Sequence, residues 1–313
     1  MSEQAEQLFD RFSVVPPEPG TNVHLDHCSP DIRTSLLNLI KTYDKAFAAS
    51  KYDCGYFRGF LATLETIPGS SVIEKERPMS QVVIEELRPI ITELLEHGIL
   101  KLAEKQGPFL SNCHGVSKPQ AGLMLQGKAD AYLLKKSGQS TNHARLTIDL
   151  RNLNKFAVTK PKTNLPNHDT LKNSFKDTYV SKFDLCSHFW SVGVDYETQS
   201  NSNFFFAGKV YSFTRLPMGF VNSSFIGQRA SEMAYGDDSM HMFLKHKNWT
   251  INSHEWPFKS TTEFLVLYLD DLAVYSSRSL PNAVTVHLHV NEFCLWATQY
   301  WGFRLGRANT GLS

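Results

Sequence analysis

Two short apolar runs enclose an acidic pair in the C-terminal third of the chain. Residues 264–275 read Phe-Leu-Val-Leu-Tyr-Leu-Asp-Asp-Leu-Ala-Val-Tyr, in which Asp270 and Asp271 interrupt aromatic, aliphatic and β-branched residues. Each run is long enough for a short buried strand, and the polar centre disfavours one continuous helix. The pattern therefore predicts a β-hairpin with two carboxylates at its tip. A plain turn is the alternative, although Asn-Gly and Asp-Gly are the favoured hairpin turns.

Upstream, hydrophobic spacing predicts helices separated by irregular segments. Residues 1–30 show no period and predict an irregular leader. One helix is predicted from an N-cap at Asp31, and a second opens at Ser80 and closes at Gly98. Pro89 is expected to kink or split the second helix because it lacks a backbone donor.

The remaining pattern mixes strands with a third helix. Strands are predicted at residues 99–102, 145–151 and 179–185, with hairpins over 107–142 and 204–213. The strand over residues 145–151 would present Arg145 and Thr147 on one face with Asp149 and Arg151. A helix is predicted over residues 222–234, and residues 236–262 are predicted to be a polar, irregular insertion. These elements together indicate an α+β protein.

Composition limits the class of protein. The 313 residues are 42% hydrophobic, enough for one large or two modest domains. No run reaches the roughly 18 apolar residues of a membrane span, and the N-terminus lacks the features of a signal peptide. Five scattered cysteines without a Cys-x-x-Cys pair suggest neither a disulfide framework nor a zinc site. A soluble intracellular protein without a membrane partner is expected.

The net charge of +1 conceals a basic middle segment. Residues 101–182 carry 14 Lys or Arg against 5 Asp or Glu, whereas residues 1–100 carry 9 against 15. Basic side chains beside an acidic site are typical of a polymerase, which needs cations along a phosphate backbone and carboxylates for metal ions. A solvated charged surface is the alternative.

Several motifs in a fixed order resemble the reverse transcriptases of retroviruses and gypsy-like LTR retrotransposons. They lie at residues 145–154, 183–189, 213–220, 227–229 and 268–271. The resemblance runs from about Ser80 to Ser276, and residues 301–305 resemble the strand that begins the family's next segment. It implies an α+β fold of the right-hand polymerase type, with fingers and a palm whose mainly antiparallel sheet packs on helices.

The resemblance also implies a domain order. Residues 1–79 would form a leader and helix, 80–175 the fingers with part of the palm, 176–280 the palm, and 281–313 a truncated palm end or thumb start. The chain would then be part of a Pol polyprotein whose protease, RNase H and integrase lie elsewhere. A cytoplasmic location, including virus-like particles, is expected, with the nucleus as an alternative.

The implied activity is RNA-directed and DNA-directed DNA synthesis by two-metal nucleotidyl transfer. Asp184, Asp270 and Asp271 would be the catalytic carboxylates, and with Leu185 they would form the metal site. Two Mg²⁺ ions are the expected cofactors, and Mn²⁺ can substitute.

The family's substrate contacts map onto further residues of this chain. The substrates would be deoxynucleoside triphosphates and an RNA or DNA template with its primer. Phe189 would be the aromatic gate against a 2′ hydroxyl, and His188 stands where a small residue is common. The residues expected to bind the nucleotide are Lys135, Lys136, Arg145, Ser187, His188, Phe189 and Met218. Those expected to contact template and primer are Pro217, Gly219, Tyr268 and Leu269.

Two other functions remain as alternatives. A truncated retroelement relic would fold and bind nucleic acid without processive polymerisation. A non-polymerase palm such as a nucleotide cyclase would share the carboxylates, but it gives no reason for the loop at residues 216–219 or for the Arg145 strand.

Overall fold

The structure, a computed structural model, describes Leu25 and residues 28–117, 144–160 and 175–306. The chain divides into two compact units. The first contains the described residues of Met1–Leu61, Lys160–Gly193 and Asn222–Ser313, and the second contains those of Ala62–Thr159 and Val194–Val221. Within these described parts, no helix is both long and apolar enough to cross a membrane.

Helices and strands alternate irregularly along the chain, as the α+β class requires. The helices are α1 Pro30–Thr42, α2 Gln81–Glu96, α3 Arg151–Phe156, α4 His188–Ser191, α5 Tyr196–Asn201, α6 Ser223–Tyr235, α7 Asp237–Lys247 and α8 Ala283–Trp301. The strands are β1 Val72–Ile73, β2 Leu100–Leu102, β3 Phe109–Ser117, β4 Ala144–Ile148, β5 Thr178–Asp184, β6 Asn203–Phe206, β7 Lys209–Phe213, β8 Leu265–Tyr268 and β9 Asp271–Ser277.

The second unit contains a mixed sheet of six strands. Its order is β1-β3-β6-β7-β2, and β4 pairs with β3. The predicted hairpin over residues 204–213 is present as β6 and β7, which pair antiparallel. Helix α2 packs on β2, β3 and β4 through the buried residues Leu87, Ile91 and Leu94.

The first unit contains a three-stranded antiparallel sheet, in the order β5-β9-β8. Strands β8 and β9 form the predicted acidic hairpin, with Tyr268 opposite Asp271. Helix α8 packs against β5 and β9, and α6 packs against β8. An antiparallel sheet covered by helices confirms the predicted α+β class for this part of the chain.

The helices differ from the sequence predictions in several places. The N-cap of α1 is Ser29 rather than Asp31, whereas Ser80 is the N-cap of α2 as predicted. Of the two effects expected of Pro89, the split is absent, since α2 is continuous around it. Pro89 is exposed, so water can satisfy the carbonyl group one turn earlier.

The last two helices, α7 and α8, occupy residues for which no helix was predicted. Residues 236–262 are not irregular throughout, because α7 occupies Asp237–Lys247. The predicted strand over residues 301–305 is absent: α8 ends at Trp301, and Leu305 makes only isolated bridges to Phe47 and Leu185.

The strand predicted over residues 145–151 is also shorter than expected. It ends at Ile148, and Arg151 begins α3. The carboxylate of Asp149 explains this boundary, because it accepts hydrogen bonds from the backbone N–H of Arg151 at 3.3 Å and from its guanidinium at 2.7 and 2.8 Å. A short acidic side chain that bonds to the backbone two residues later favours a turn over a continued strand.

Candidate active site

Two carboxylates face each other across neighbouring strands of the first unit. Asp184 is the last residue of β5 and Asp271 is the first of β9, and the antiparallel register places them directly opposite one another. Directly opposite residues lie on the same face of a sheet, with Cβ atoms about 4.5–5.5 Å apart. Both side chains are half-buried. The sheet therefore brings together two acidic groups that are distant in sequence.

The third carboxylate lies in the turn between β8 and β9. Leu269 and Asp270 form this turn, and Leu269 has a left-handed φ of +56°. The carbonyl of Asp270 accepts a hydrogen bond of 2.8 Å from the N–H of Leu185, which joins the turn to the end of β5. Desolvation raises the pKa of the Asp270 carboxyl, while its backbone hydrogen bond and the charge of Lys182 act in the opposite direction.

Helix α6 fixes the backbone of this turn. The side-chain oxygen of Gln228 accepts a hydrogen bond of 3.1 Å from the N–H of Leu269. The Ser231 hydroxyl donates to the carbonyl of the same residue at 3.3 Å. Both backbone polar groups of a residue in a sparsely populated conformation are thus bound by one helix.

A buried lysine lies beside the carboxylates. The Nζ atom of Lys182 is 3.5 Å from Oδ1 of Asp271, and the two side chains are 8% and 14% exposed. Lys182 precedes Asp184 by two residues on β5, so both side chains point to the same face of the sheet. The acidic site therefore contains its own counter-charge.

The aromatic residue predicted to contact the sugar rests on a buried histidine. The rings of His188 and Phe189 are stacked, 5.6 Å apart. A Cβ atom at Gly227 would lie 2.8 Å from Cε1 of Phe189 and 3.1 Å from Cε1 of His188. The absence of a side chain at residue 227 therefore makes room for both rings.

His188 also connects α4 to the turn between β8 and β9. Its Nε2 atom lies 3.1 Å from the Ser231 hydroxyl. That hydroxyl donates its proton to Leu269, so Nε2 is the donor to Ser231. Burial lowers the pKa of His188 to about 4, so the imidazole is neutral near pH 7.

Other predicted residues of the first unit have distinct surroundings. Ser187 has a φ of +48° and is the N-cap of the short helix α4. Leu185 is buried directly after Asp184. Tyr268 is 8% exposed and packs with Val266 and Ala273, so most of its surface is in the core.

The second unit contains four of the predicted substrate residues. Arg145 is exposed on β4. Pro217 is buried and Met218 half-buried in the loop after β7, where exposed Gly219 has a φ of +89°. The Asn154 amide bonds both sides of this glycine, donating to the Gly219 carbonyl and accepting from the Val221 N–H, both at 2.9 Å.

The comparisons with known proteins identify the family. A family model described as "Reverse transcriptase (RNA-dependent DNA polymerase)" matches residues 133–307, more than half of the chain.

The chain belongs to the reverse transcriptase family.

Its relatives are polyproteins of viruses and transposons. It is 22% identical over 266 residues to the "Retrovirus-related Pol polyprotein from transposon 297" of Drosophila melanogaster, covering 85% of this chain and 21% of that protein. It is 28% identical over 143 residues to the "Putative enzymatic polyprotein" of Cassava vein mosaic virus, covering 45% of this chain and 18% of that protein. The chain thus spans about a fifth of the length of these relatives.

Solved structures show the same fold. A foamy viral protease-reverse transcriptase in complex with an RNA/DNA hybrid superposes with a TM-score of 0.67 and 17% sequence identity. The match covers 91% of this chain and 32% of that one. The likeness confirms the predicted polymerase fold.

The acidic residues suit a metal ion that needs few protein ligands. Among the described residues, no group of three or more His, Cys, Asp or Glu side chains is arranged as a ready metal site. Mg²⁺ is usually bound by one or two carboxylates, with water and substrate phosphates completing its coordination. The facing pair of Asp184 and Asp271, with Asp270 in the adjacent turn, fits that requirement.

Four residues that contact predicted site residues were not themselves predicted to have a role. They are Asn154, Lys182, Gln228 and Ser231. Strand alternation places Lys182 on the face of Asp184, and helical spacing places Gln228 and Ser231 on one side of α6, so the sequence contains both signals. The partners of these residues depend on the fold.

Two other residues predicted to bind the nucleotide, Lys135 and Lys136, lie outside the described residues.

Proposed function

We propose that this chain extends a DNA primer on an RNA or DNA template, as part of the Pol polyprotein of an LTR retroelement. The observation that carries the proposal is the register that places Asp184 opposite Asp271, with Asp270 in the turn between β8 and β9. Membership of the reverse transcriptase family supports it.

The reaction is attack of the primer's 3′ hydroxyl on the α-phosphate of a deoxynucleoside triphosphate, with pyrophosphate as leaving group. Two Mg²⁺ ions, or Mn²⁺ in their place, would lower the pKa of that hydroxyl and stabilise the charge on the leaving group. Asp184, Asp270 and Asp271 would bind these ions beside Leu185. The bonds from Gln228 and Ser231 to Leu269 keep the acidic turn in one position, so little reorganisation is needed during the reaction.

The proposed nucleotide contacts are those that the family resemblance implies. Phe189 would lie against the sugar of the nucleotide, beside backbone groups of Ser187 and His188. Arg145 and Met218 would also contact the nucleotide. A guanidinium suits this role because it both stacks on a base and bonds to a phosphate. Either Lys135 or Lys136 would reach the triphosphate.

The template and primer would contact a second set of residues. Pro217 and Gly219 would border the template, and Tyr268 and Leu269 would lie at the last base pair of the primer. The protease, RNase H and integrase of the parent polyprotein are the proposed covalent partners. Reverse transcription would take place in cytoplasmic virus-like particles.

A primer-extension assay tests the proposal. The full chain is incubated with a primed homopolymer template, the matching deoxynucleoside triphosphate and Mg²⁺ or Mn²⁺. We expect extension by the wild type, at least a hundredfold less with Asp270→Asn, and wild-type extension with Asp238→Asn, which changes an exposed carboxylate on α7. Equal background in all three proteins would contradict the proposal.

One observation favours the relic as a second candidate. The Nζ atom of Lys182 lies 3.5 Å from Oδ1 of Asp271 and so occupies one of the three proposed metal-binding carboxylates. A relic would bind the primed template with an affinity that does not change in Asp270→Asn, and it would not extend it. A binding assay on the same three proteins therefore separates a folded nucleic-acid-binding relic from a polymerase.

A further inference from the structure

Lys182 lies in a row of the sheet that is otherwise apolar. The register places Ala273 opposite Lys182, and Val266 opposite Ala273 on the far strand. The neighbouring row contains Asp184, Asp271 and Tyr268. An aliphatic side chain at residue 182 would fit between these neighbours, so packing alone does not account for a buried ammonium group.

The ammonium group is placed where it affects the carboxylates. Its Nζ atom is 3.5 Å from Oδ1 of Asp271, and the Lys182 side chain is 8% exposed. Removing a charged group from water is unfavourable unless an opposite charge lies beside it. Asp271 supplies that charge, so the lysine and a metal ion at Asp271 would compete for the same carboxylate.

We propose that Lys182 is a charge-balancing residue that binds Asp271 in the metal-free protein and weakens the binding of divalent cations until a nucleotide arrives. The proposal rests on the proposed function, because it takes the three carboxylates as the metal site. With Lys182 in place, three carboxylates and one ammonium carry a net charge of −2. A cation that arrives with a triphosphate brings further oxygen ligands and so has less need of Asp271.

Replacing Lys182 should strengthen the binding of a metal ion, whereas replacing an ordinary active-site residue weakens it. Removing the positive charge from residue 182 strengthens binding of a free divalent cation, because one repulsive charge and one competing partner are lost. The gain is about tenfold or more for charges a few Å apart near a protein surface. Arginine at residue 182 keeps the charge and therefore keeps the weak affinity.

Binding of Mn²⁺ alone to the full chain, followed by electron paramagnetic resonance, measures this effect without nucleotide or nucleic acid. We expect Lys182→Met to bind Mn²⁺ about tenfold more tightly than the wild type, and Lys182→Arg to match the wild type. The matched control is Lys176→Met, which removes the same charge from an exposed residue just before β5. Adding Asp271→Asn to Lys182→Met should abolish the gain, which assigns the ion to this carboxylate.

Each outcome decides one of the two proposals. Equal Mn²⁺ affinity in the wild type and Lys182→Met, lost in Asp271→Asn, would overturn the role of Lys182 and leave the metal site intact. No binding in either protein would overturn the role of Lys182, and primer extension by the wild type would then decide the polymerase proposal separately. A tighter site in Lys182→Met combined with no primer extension by the wild type would retain this inference and remove the polymerase. Thermal unfolding checks the fold, and Lys182→Gln replaces Lys182→Met where the methionine variant unfolds.

Discussion

Asp184 lies directly opposite Asp271 in the antiparallel pairing of β5 with β9. The residues next to them, Phe183 and Leu272, are also opposite one another and are fully buried on the other face of the sheet. A shift of one residue in register would turn these apolar side chains outward and the carboxylates inward. The burial of Phe183 and Leu272 therefore fixes the acidic pair on its face.

The bond from Leu269 to Gln228 predicts the effect of a substitution in α6. Gln228→Leu removes the acceptor and leaves the N–H of Leu269 without its 3.1 Å partner. An unsatisfied backbone donor costs about 1–3 kcal/mol, and the loss should appear both in the free energy of unfolding and in the position of Asp270. We expect primer extension to fall by about tenfold or more, measured beside urea unfolding.

Glu232→Ala is the control for this prediction. Glu232 accepts a bond from the amide nitrogen of Gln228 at 3.4 Å, so its removal leaves the bond to Leu269 in place. Near wild-type extension is expected. If Gln228→Leu also extended primers at the wild-type rate, the turn would not depend on α6.

The acidic hairpin and α2 could be predicted from the sequence because their signals are local. Two carboxylates between apolar runs specify the hairpin, and the side chain of Ser80 accepts from the N–H of Val83, as an N-cap should. Helix α8 gave no comparable signal. Its buried residues lie on most of its surface, so no polar face reveals a helical period.

The structure of residues 236–262 could not be predicted for a related reason. Met240, Phe243 and Leu244 of α7 are buried, and Trp256 and Phe293 surround the ring of Phe243. Three apolar positions among polar residues make a weak pattern until their partners from α8 and the following loop are known. Likewise, only the strand register shows that Lys182 and Asp271 are neighbours.

The close approach of the Phe189 ring to Gly227 predicts a steric effect of a larger residue on nucleotide binding. In Gly227→Ala, the new methyl group would lie 2.8 Å from Cε1 of Phe189, so the Phe189 ring must move away from α6. Overpacking of this kind costs about 1–3 kcal/mol. We expect kcat/KM for a deoxynucleotide to fall about tenfold, mainly through a higher KM, because the displaced ring occupies the proposed sugar site.

Ser224→Ala serves as the comparison, since Ser224 is exposed on the same helix and the change adds no volume. Single-nucleotide incorporation with deoxynucleotides and ribonucleotides gives the ratio of the two kcat/KM values for each variant. An unchanged ratio and unchanged KM in Gly227→Ala would show that the Phe189 ring does not border the nucleotide.

Asp149 makes the second unit sensitive to strong acid. The Arg151 side chain donates two hydrogen bonds to this 7% exposed carboxylate, and Arg77 adds a third at 3.3 Å. These bonds hold the pKa of Asp149 well below its ordinary value. The stabilisation is therefore complete above the unfolded pKa near 4 and is lost as pH falls through the lower folded pKa.

Asp149→Asn should reduce the free energy of unfolding by about 1–2 kcal/mol at pH 7, a modest loss because solvent screens the exposed guanidinium of Arg151. The variant should also lose stability less steeply than the wild type below pH 4. Urea unfolding at pH 7, 4 and 3 tests both statements, with exposed Asp44→Asn as the control. Parallel acid profiles for wild type and Asp149→Asn would contradict the role of this carboxylate.

The buried imidazole of His188 should reduce the free energy of unfolding at a higher pH than the Asp149 carboxylate does. Burial lowers its pKa to about 4, and the side chains that face its ring are Phe189, Phe303 and Ser231, none of them charged. Below pH 6.5 the unfolded chain takes up a proton at this imidazole that the folded protein does not bind until about pH 4. Stability therefore falls as pH decreases, by about 2 kcal/mol between pH 7.5 and pH 5.

Urea unfolding of the wild type, His188→Phe and the exposed control His241→Asn measures this difference. His188→Phe should lose the pH-dependent part while His241→Asn retains it, and the same slope in all three proteins would show that His188 is not the titrating group.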